Sequence, residues 1–328
     1  MKVLVTGGAG FIGSHYVRSL LEGRYPAFAD AHVTVVDKLT YAGTTTSLPL
    51  GHDRLDFVRA DICDPQLQDV AAGHDAVVHF AAESHVDRSL TGAAEFVRTN
   101  VLGTQNVLEA ARAAGVPRVV HVSTDEVYGS IAEGTWTEDS PLEPNSPYAA
   151  SKAGSDLVAR SYWRTHGLDV SVTRCSNNYG PYQFPEKAIP RFVTNLLDGL
   201  DVPLYGDGRN VREWLHVDDH CRAIQLVLEG GRAGRVYNIG GGTDLTNREL
   251  VDRILDLTGA GPERIRHVAD RKGHDLRYAL DDTRIREELG FTNEIPFEEG
   301  LAATVAWYEQ NRGWWEPLRQ RAEMPVAP

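Results

Sequence analysis

A glycine-rich turn, Thr6-Gly7-Gly8-Ala9-Gly10-Phe11-Ile12-Gly13, stands almost at the start of the chain. A short apolar run at 2–6 leads into it, and a stretch of helical periodicity at 11–22 follows. Glycines at 7, 10 and 13 permit a tight turn, close approach of backbone N–H groups to a diphosphate, and close packing of helix on strand. A glycine pattern alone is weak. Between a strand and a helix, it demands a strand–turn–helix unit of the dinucleotide-binding kind. Asp37 ends the second apolar run. A carboxylate there suits the hydroxyls of an adenosine ribose and repels a 2′-phosphate, which favours NAD over NADP although Lys38 is adjacent.

The alternation continues. Short, Val-rich strands are predicted at 2–6, 32–36, 55–60, 76–80 and 118–123, and helices at 11–22, 65–71, 93–114 and 147–166. Near-continuous apolar runs mark parallel strands covered on both faces. Ser146-Pro147 is a helix start, an N-cap candidate followed by proline at the first helical position. The pattern implies an α/β fold, a Rossmann-type doubly wound parallel sheet. After about residue 179 it turns irregular, with Pro181, Pro185, Pro190 and Pro203 in quick succession. Helices are predicted there at 189–198, 218–228, 247–258 and 297–311. We expect a dinucleotide-binding portion over about 1–178 plus 210–245. A smaller, mixed α/β substrate-binding portion is expected over about 179–209 plus 246–328. The tail after Trp315 reads as loosely held, its last residues 324–328 offering little to pack.

Composition narrows the function. The chain has 328 residues, 42% of them hydrophobic, enough for a large core. A net charge of −13 argues against a nucleic-acid surface. Three cysteines, Cys63, Cys175 and Cys221, with no CxxC, make no disulfide framework. The start is no signal peptide and no apolar run reaches membrane-span length, so a cytoplasmic protein is expected.

Two further motifs carry chemistry. Tyr148 and Lys152 are four apart on a predicted helix and share a face. A nearby ammonium stabilises tyrosinate, so Tyr148 can act as a general base towards a hydroxyl. Thr124, just past the fifth strand, is at the carboxyl end of the sheet, where ligands bind, and can hold the same oxygen. Asp125 and Glu126 follow it. Two adjacent carboxyls can share one proton, giving an acid and a base. The residues alone do not say which is which.

With these motifs in view, the chain resembles the extended short-chain dehydrogenase/reductase family over nearly its whole length. The matching segments are 7–13, Phe80-Ala81-Ala82-Glu83-Ser84-His85-Val86-Asp87, Ser123-Thr124-Asp125-Glu126-Val127-Tyr128-Gly129, 148–152, Asn177-Asn178-Tyr179-Gly180-Pro181 and Asp270-Arg271-Lys272-Gly273-His274. Asp125-Glu126 points to its nucleotide-sugar dehydratases rather than its epimerases. The resemblance implies tightly held NAD, regenerated each turnover, and dTDP-glucose as partner. A sugar would be oxidised at C4, lose water across C5–C6, and receive hydride at C6. It assigns Asp125 as acid and Glu126 as base, with Thr124, Tyr148 and Lys152 completing the catalytic set.

The family pattern puts Gly7, Gly10, Phe11, Ile12, Gly13, Asp37, Lys38, Leu39, Thr40, Asp61, Ile62, Phe80, Ala81, Ala82, Ser84, Thr99, Tyr148, Lys152 and Asn178 around the cofactor. It puts Ser84, Thr124, Asn177, Lys187, Ala188, Pro203, Leu204, Tyr205, Arg212, Asn247, Asp270, Arg271, Lys272, Gly273 and His274 around the nucleotide sugar. Arg212 can fork onto diphosphate oxygens. Its plain alternative is a surface ion pair with Glu213. A homodimer is implied too, built on the helices at 93–114 and 147–166. Two competing functions remain open: a nucleotide-sugar 4-epimerase, and a non-catalytic Rossmann sensor of NAD or nucleotide. No metal is expected: His216 and His220 beside Asp218 and Asp219 read as a helix start with aspartate caps. Cys175 reads as a small strand-end residue, and Trp314-Trp315 as packing.

Overall fold

The computed structural model describes residues 1–323. Its twelve strands, in chain order, are β1 (Lys2–Thr6), β2 (His32–Asp37), β3 (Leu55–Arg59), β4 (Ala76–His79), β5 (Val119–Thr124), β6 (Val170–Cys175), β7 (Asn177–Tyr179), β8 (Val202–Tyr205), β9 (Val211–His216), β10 (Val236–Ile239), β11 (Asp244–Thr246) and β12 (Ile265–Val268). Seven of them form one parallel sheet in the order β10-β6-β5-β4-β1-β2-β3. The order reverses at β1, where the chain first crosses to β2 and β3 and then returns to β4. That reversal opens a crevice at the carboxyl ends of β1 and β4.

The Val-rich strands sort by face. Val3, Val5, Val33, Val35 and Val78 point into one buried cluster, with Tyr16, Leu20 and Ile224. Leu4, Val36, Val77, Val119 and Val172 point into another, with Leu108 and Ala159. A sheet covered on both sides has no reason to alternate apolar with polar, which is why these strands read as continuous apolar runs. Each such side chain sealed from water contributes roughly 1.5–3 kcal/mol.

Helix ends follow local chemistry. Ser146 accepts the N–H of Ala149 at 3.1 Å, Pro147 occupies the first turn, and Gly167 closes the helix Pro147–His166 in the left-handed conformation. The helix Asn247–Thr258 carries a full capping box between Thr246 and Glu249. The segment expected as one helix at 93–114 is Ala93–Phe96, a π-helical stretch Val97–Gly103, and Thr104–Ala113. Periodicity does not register the wider turn. At Gly103 an added Cβ would lie 2.5 Å from Ile62 Cδ1, so glycine allows this close approach.

The irregular half has its own apolar cluster, in which Phe192, Val193, Leu204, Trp214, Leu250, Leu301, Tyr308 and Trp315 pack together. β7, β9 and β11 form a small sheet beside it, and β8 pairs with β12. The tail expected to be loose is helical over Arg312–Glu323, with Trp315 fully buried and Leu318 nearly so. Aromatic and leucine anchors hold it. The expectation for 324–328 lies outside the described residues. Among the described residues, no helix is long and apolar enough to cross a membrane.

Candidate active site

The crevice at the reversal of strand order is lined by the glycine turn, the ends of β1, β2, β4 and β5, and the loops after β6 and β7. Gly7 is left-handed at φ +70°, and a Cβ there would stand 2.5 Å from Ala81 N. A Cβ at Gly13 would stand 2.4 Å from the carbonyl oxygen of Gly7. These two positions exclude any side chain. Gly10 precedes the helix Phe11–Leu21, so that helix presents its free N–H groups to the crevice floor. Asp37, at the tip of β2, accepts from the N–H of Ala9 at 3.0 Å and of Leu39 at 2.8 Å. Burial pushes its carboxyl up, and those two N–H groups oppose the shift. Lys38 is engaged by Asp61 at 3.4 Å and by Glu95 at 3.1 Å. The donor set therefore fits a dinucleotide with free ribose hydroxyls: N–H groups where a diphosphate would lie, and a carboxylate with no cation to spare for a 2′-phosphate.

At the other end of the crevice stand Thr124, Asp125, Glu126, Tyr148 and Lys152. β5 ends at Thr124, whose hydroxyl oxygen accepts the N–H of Glu126 at 3.3 Å and starts the tight turn Asp125–Tyr128. Thr124, not Asp125, is thus the cap, which leaves the Asp125 carboxyl free to face inward. Its Oδ1 accepts from the Thr124 hydroxyl at 3.2 Å, while Oδ2 is buried without a partner. Burial, then the Glu126 and Glu213 carboxylates, push Asp125 well above the usual carboxylate range. Burial raises Glu126 as well, but Arg271, Arg212 and Lys187 oppose it. The two carboxyls are therefore unequal: anions weigh more on Asp125, opposed by the Thr124 hydroxyl and Arg212, and cations weigh more on Glu126, opposed by Asp275.

The Tyr–Lys pair differs from the simple expectation. Lys152 Nζ donates to the carbonyl of Val122 at 2.8 Å. Burial lowers the ammonium to about 8. Tyr148 is pushed well up, by burial first and then by Glu126 and Cys175, with a hydrogen bond to Thr124 opposing. Sharing a helix face does not by itself place an ammonium on a phenol. The platform is nonetheless rigid. Ser151 donates to the Tyr148 carbonyl at 2.6 Å, and Asn100 Nδ2 donates to Ser151 at 2.8 Å and to the Glu83 carbonyl at 3.0 Å.

Of the residues expected around the cofactor, Gly7, Gly10, Phe11, Ile12, Gly13, Asp37, Lys38, Thr40, Asp61, Ile62, Phe80, Ala81, Ala82, Ser84, Thr99, Tyr148, Lys152 and Asn178 all line this crevice. Leu39 does not: at φ 57° its side chain packs onto the sheet's apolar cluster. Of the residues expected around the sugar, Ser84, Thr124, Asn177 and Lys187 line it. Asn177 Oδ1 is buried without a partner, and Lys187 Nζ donates to the Ser84 carbonyl at 2.7 Å.

Others form a neighbouring group. Arg271 lies 3.5 Å from Asp87, Tyr205 donates to Asp87 at 3.2 Å, and His274 pairs with Asp270 at 2.6 Å. Arg212 is no surface ion pair with Glu213. It is buried, donates to the carbonyls of Val211 and Asp275, and stacks 4.4 Å from the Tyr278 ring centroid. The rest stand apart from the crevice lining. Leu204 is core and Pro203 sits beside it on β8. Asn247 opens a helix, while Ala188, Lys272 and Gly273 are exposed.

The crevice is also lined by Ala42, Gly43, Glu83, Ser123, Cys175, Ser176, Gln183, Phe184 and Glu186. Glu83 and Glu186 flank expected residues, and that adjacency is the signal the sequence offers for them. His216 itself, rather than an aspartate, caps the helix Val217–Gly230, because its ring accepts the N–H of Asp218 at 3.3 Å. Asp218 pairs with His15 and Arg24 instead. Among the described residues, no group of His, Cys, Asp and Glu is placed to hold a metal.

A parallel doubly wound sheet with this turn, this Tyr-Lys helix and a threonine at the end of the fifth strand defines an extended short-chain dehydrogenase/reductase. Within that class, the chain belongs to the family described as GDP-mannose 4,6 dehydratase, whose model matches residues 4–304. It is 62% identical over 331 residues to a dTDP-glucose 4,6-dehydratase of Streptomyces niveus, covering 100% of this chain and 98% of that one. The crystal structure of DesIV, the dTDP-glucose 4,6-dehydratase of Streptomyces venezuelae, contains NAD and dTDP. It superposes with a TM-score of 0.96 at 66% identity, over 97% of this chain and 100% of that one. A UDP-glucose 4-epimerase of Thermotoga maritima, solved with UDP-glucose, gives a TM-score of 0.88 at 33% identity, over 95% and 100%.

Proposed function

We propose that this chain is a dTDP-glucose 4,6-dehydratase that uses NAD and returns it unchanged. One observation carries the reading: Asp125 and Glu126 stand beside Thr124 and Tyr148 at the end of the glycine-walled crevice. The fold is common to dehydratases and epimerases, as the two superpositions illustrate. High identity to several dehydratases over the whole chain favours the former.

The side chains divide the work as follows. Tyr148, acting as the tyrosinate that the Lys152 ammonium and the positive charge of NAD, when bound, would stabilise, takes the proton of the C4 hydroxyl, and the Thr124 hydroxyl holds the same oxygen in line. Lys152, as an ammonium, steadies the negative charge that develops there. NAD, when bound, supplies the acceptor for the C4 hydride and the donor for C6. A ketone at C4 acidifies the C5 proton, which Glu126 removes. Asp125 donates a proton to the C6 hydroxyl, which leaves as water. The proton on Glu126 goes back to C5, and the one gained by Tyr148 balances the one lost by Asp125. The environments support this assignment: Asp125 is raised by burial and then by Glu126 and Glu213, whereas Arg271, Arg212 and Lys187 all oppose the rise of Glu126, which favours Asp125 as the proton donor and Glu126 as the base. The same cations suit the substrate's diphosphate. A non-catalytic sensor has no use for this separation.

The expected division of the chain, a cofactor portion over about 1–178 plus 210–245 and a sugar portion over about 179–209 plus 246–328, belongs to the same proposal. So do a cytoplasmic location and a homodimer. Val97, Leu102 and Leu157 stand more than half exposed on the helices that would face a second copy. Light scattering tests the dimer. The function is tested by giving the protein dTDP-glucose without added NAD and looking for a 4-keto-6-deoxy product. Unchanged dTDP-glucose, with UDP-glucose converted to UDP-galactose, would sink the reading.

A further inference from the structure

Behind the crevice lies a set of buried ionisable side chains that the reaction steps do not use. Tyr148, Lys152 and Asp156 recur every four residues on one face of the helix Pro147–His166. Asp156 is sealed from water, as are Arg174 on β6 and His121 on β5. Asp156 Oδ2 accepts from Arg174 Nε at 2.8 Å, and its Oδ1 lies 3.3 Å from His121 Nε2. Arg174 also donates to the Tyr128 hydroxyl at 2.8 Å, which fixes its direction.

Charged and titratable groups reach Lys152 from three sides. Its own helix brings Asp156 and Tyr148. The strands beneath bring His79, His121, Arg174 and Cys175, and burial holds His79 well down, and so neutral. Burial holds His121 down, and so neutral, and pushes the Cys175 thiol up, so it too is uncharged. Beyond Tyr148, the acidic turn brings Asp125 and Glu126. Glu126, the ionised member of that turn, is answered by Arg271, Arg212 and Lys187, which leaves two cations, Lys152 and Arg174, against one deeply buried anion, Asp156. Take Asp156 away and two unopposed cations share one dry space. A guanidinium cannot release its proton, whereas a buried lysine does so readily. The loss would fall on Lys152.

We propose that Asp156 is a positioning residue for the oxidation step. Its carboxylate, pinned by Arg174, is the counter-charge that lets Lys152 remain an ammonium while shut away from water beside Tyr148. This rests on the roles given above to Tyr148 and Lys152 and extends that pair by one helical turn. The electrostatics run the same way. Burial lowers Lys152 to about 8 and Asp156 opposes that fall. Burial of Asp156 itself is outweighed by Arg174 and His121, which hold its carboxyl at about 2.

The chain has five lysines, Lys2, Lys38, Lys152, Lys187 and Lys272, so Lys152 can be followed directly. Carbon-13 labelling at lysine Cε in the NAD-loaded protein, with Lys152→Arg identifying the signal, gives its titration by NMR. Asp156→Asn should move that titration down by about one pH unit or more, a tenfold or larger change in proton affinity. The alkaline limb of substrate-driven NAD reduction should move with it. Arg174→Gln should move both upward, and the double variant should return them towards wild type, because one buried cation is again left in excess. A purely structural role would lower Tm and leave the titration where it was. Folded Asp156→Asn or Arg174→Gln protein with an unmoved Lys152 overturns the proposal; if Asp156→Asn does not fold, Arg174→Gln decides alone. The NMR readout needs no turnover. A titration that shifts as expected in a protein inert towards dTDP-glucose would therefore count against the dehydratase reading and not against this one.

Discussion

The two walls of the crevice are built by different means. One is the glycine turn with the ends of β1 and β2, where backbone N–H groups, missing side chains and one carboxylate do the work. The other sets Lys187 in the crevice and Arg212 and Arg271 in the group beside it, three cations from distant stretches of chain that all act on Glu126. The first depends on shape within a short segment. The second depends on charges brought together by tertiary structure. A wall made of backbone tolerates almost no substitution, whereas a wall made of long cationic side chains can be retuned one residue at a time.

Four substitutions probe that contrast. Gly13→Val should have the largest effect, since even a Cβ collides with the Gly7 carbonyl at 2.4 Å. The protein should lose its bound NAD and all turnover with it. Heat-released nucleotide measures this, and a full complement of NAD in the variant would break the comparison. Glu126→Gln should slow elimination by about 10²–10⁴-fold while substrate still reduces the bound NAD, as NADH absorbance would show. Because Glu126 is raised and acts ionised, activity should be present above its pKa and fall as pH drops through it. That acid limb should lie above the usual glutamate value of ~4.3. A limb at or below that value would contradict the burial argument.

On the charged wall, Arg212→Lys should be milder. Losing a planar fork at a diphosphate costs about 1.5–3 kcal/mol, hence roughly 10–150-fold in KM, with kcat nearly unchanged. Lys38→Ala should be the smallest. Lys38 is occupied by Asp61 and Glu95 in a partly exposed pair, worth at most ~1 kcal/mol. NAD affinity should change less than about fivefold, and NADP should not become a cofactor. Measured Kd values for both nucleotides would show whether Lys38 is instead part of the cofactor's grip.

The same contrast explains what is legible in the sequence. Gly7, Gly13 and Asp37 carry their geometry in a few neighbouring residues, so the order of amino acids alone places the strand, the turn and the carboxylate. The sheet itself is legible for β1 to β5 because buried parallel strands leave unbroken valine runs. β6 and β10 complete the sheet from segments whose patterns are less distinct, and their pairing is a long-range fact. Arg212 shows the limit. Next to Glu213 in sequence, it points instead to Tyr278 and the carbonyl of Asp275. Leu39 shows the converse: close to Asp37 in sequence, its left-handed backbone sets the half-buried side chain against the sheet's apolar cluster and not in the crevice lining. The π-helical stretch at Val97–Gly103 is invisible to periodicity because one widened turn barely disturbs a helical pattern.

The pairing of β10 with β6 also has a consequence for how the chain is made. Translation proceeds from the N-terminus, so β1 to β6 leave the ribosome together, with the valines of β6 at one margin of the sheet. Their partner, Val236–Ile239, comes much later. At ~5–20 residues per second, the open margin of β6 is exposed for several seconds on every nascent chain. During that interval it is an unpaired template on which another unfinished chain could add a strand. Chains stalled before Val236 should therefore bind chaperones and aggregate, whereas chains stalled well beyond Ile239 should not. The vulnerability of this enzyme is greatest not once it is folded but while the last strand of its seven-stranded sheet is still being synthesised.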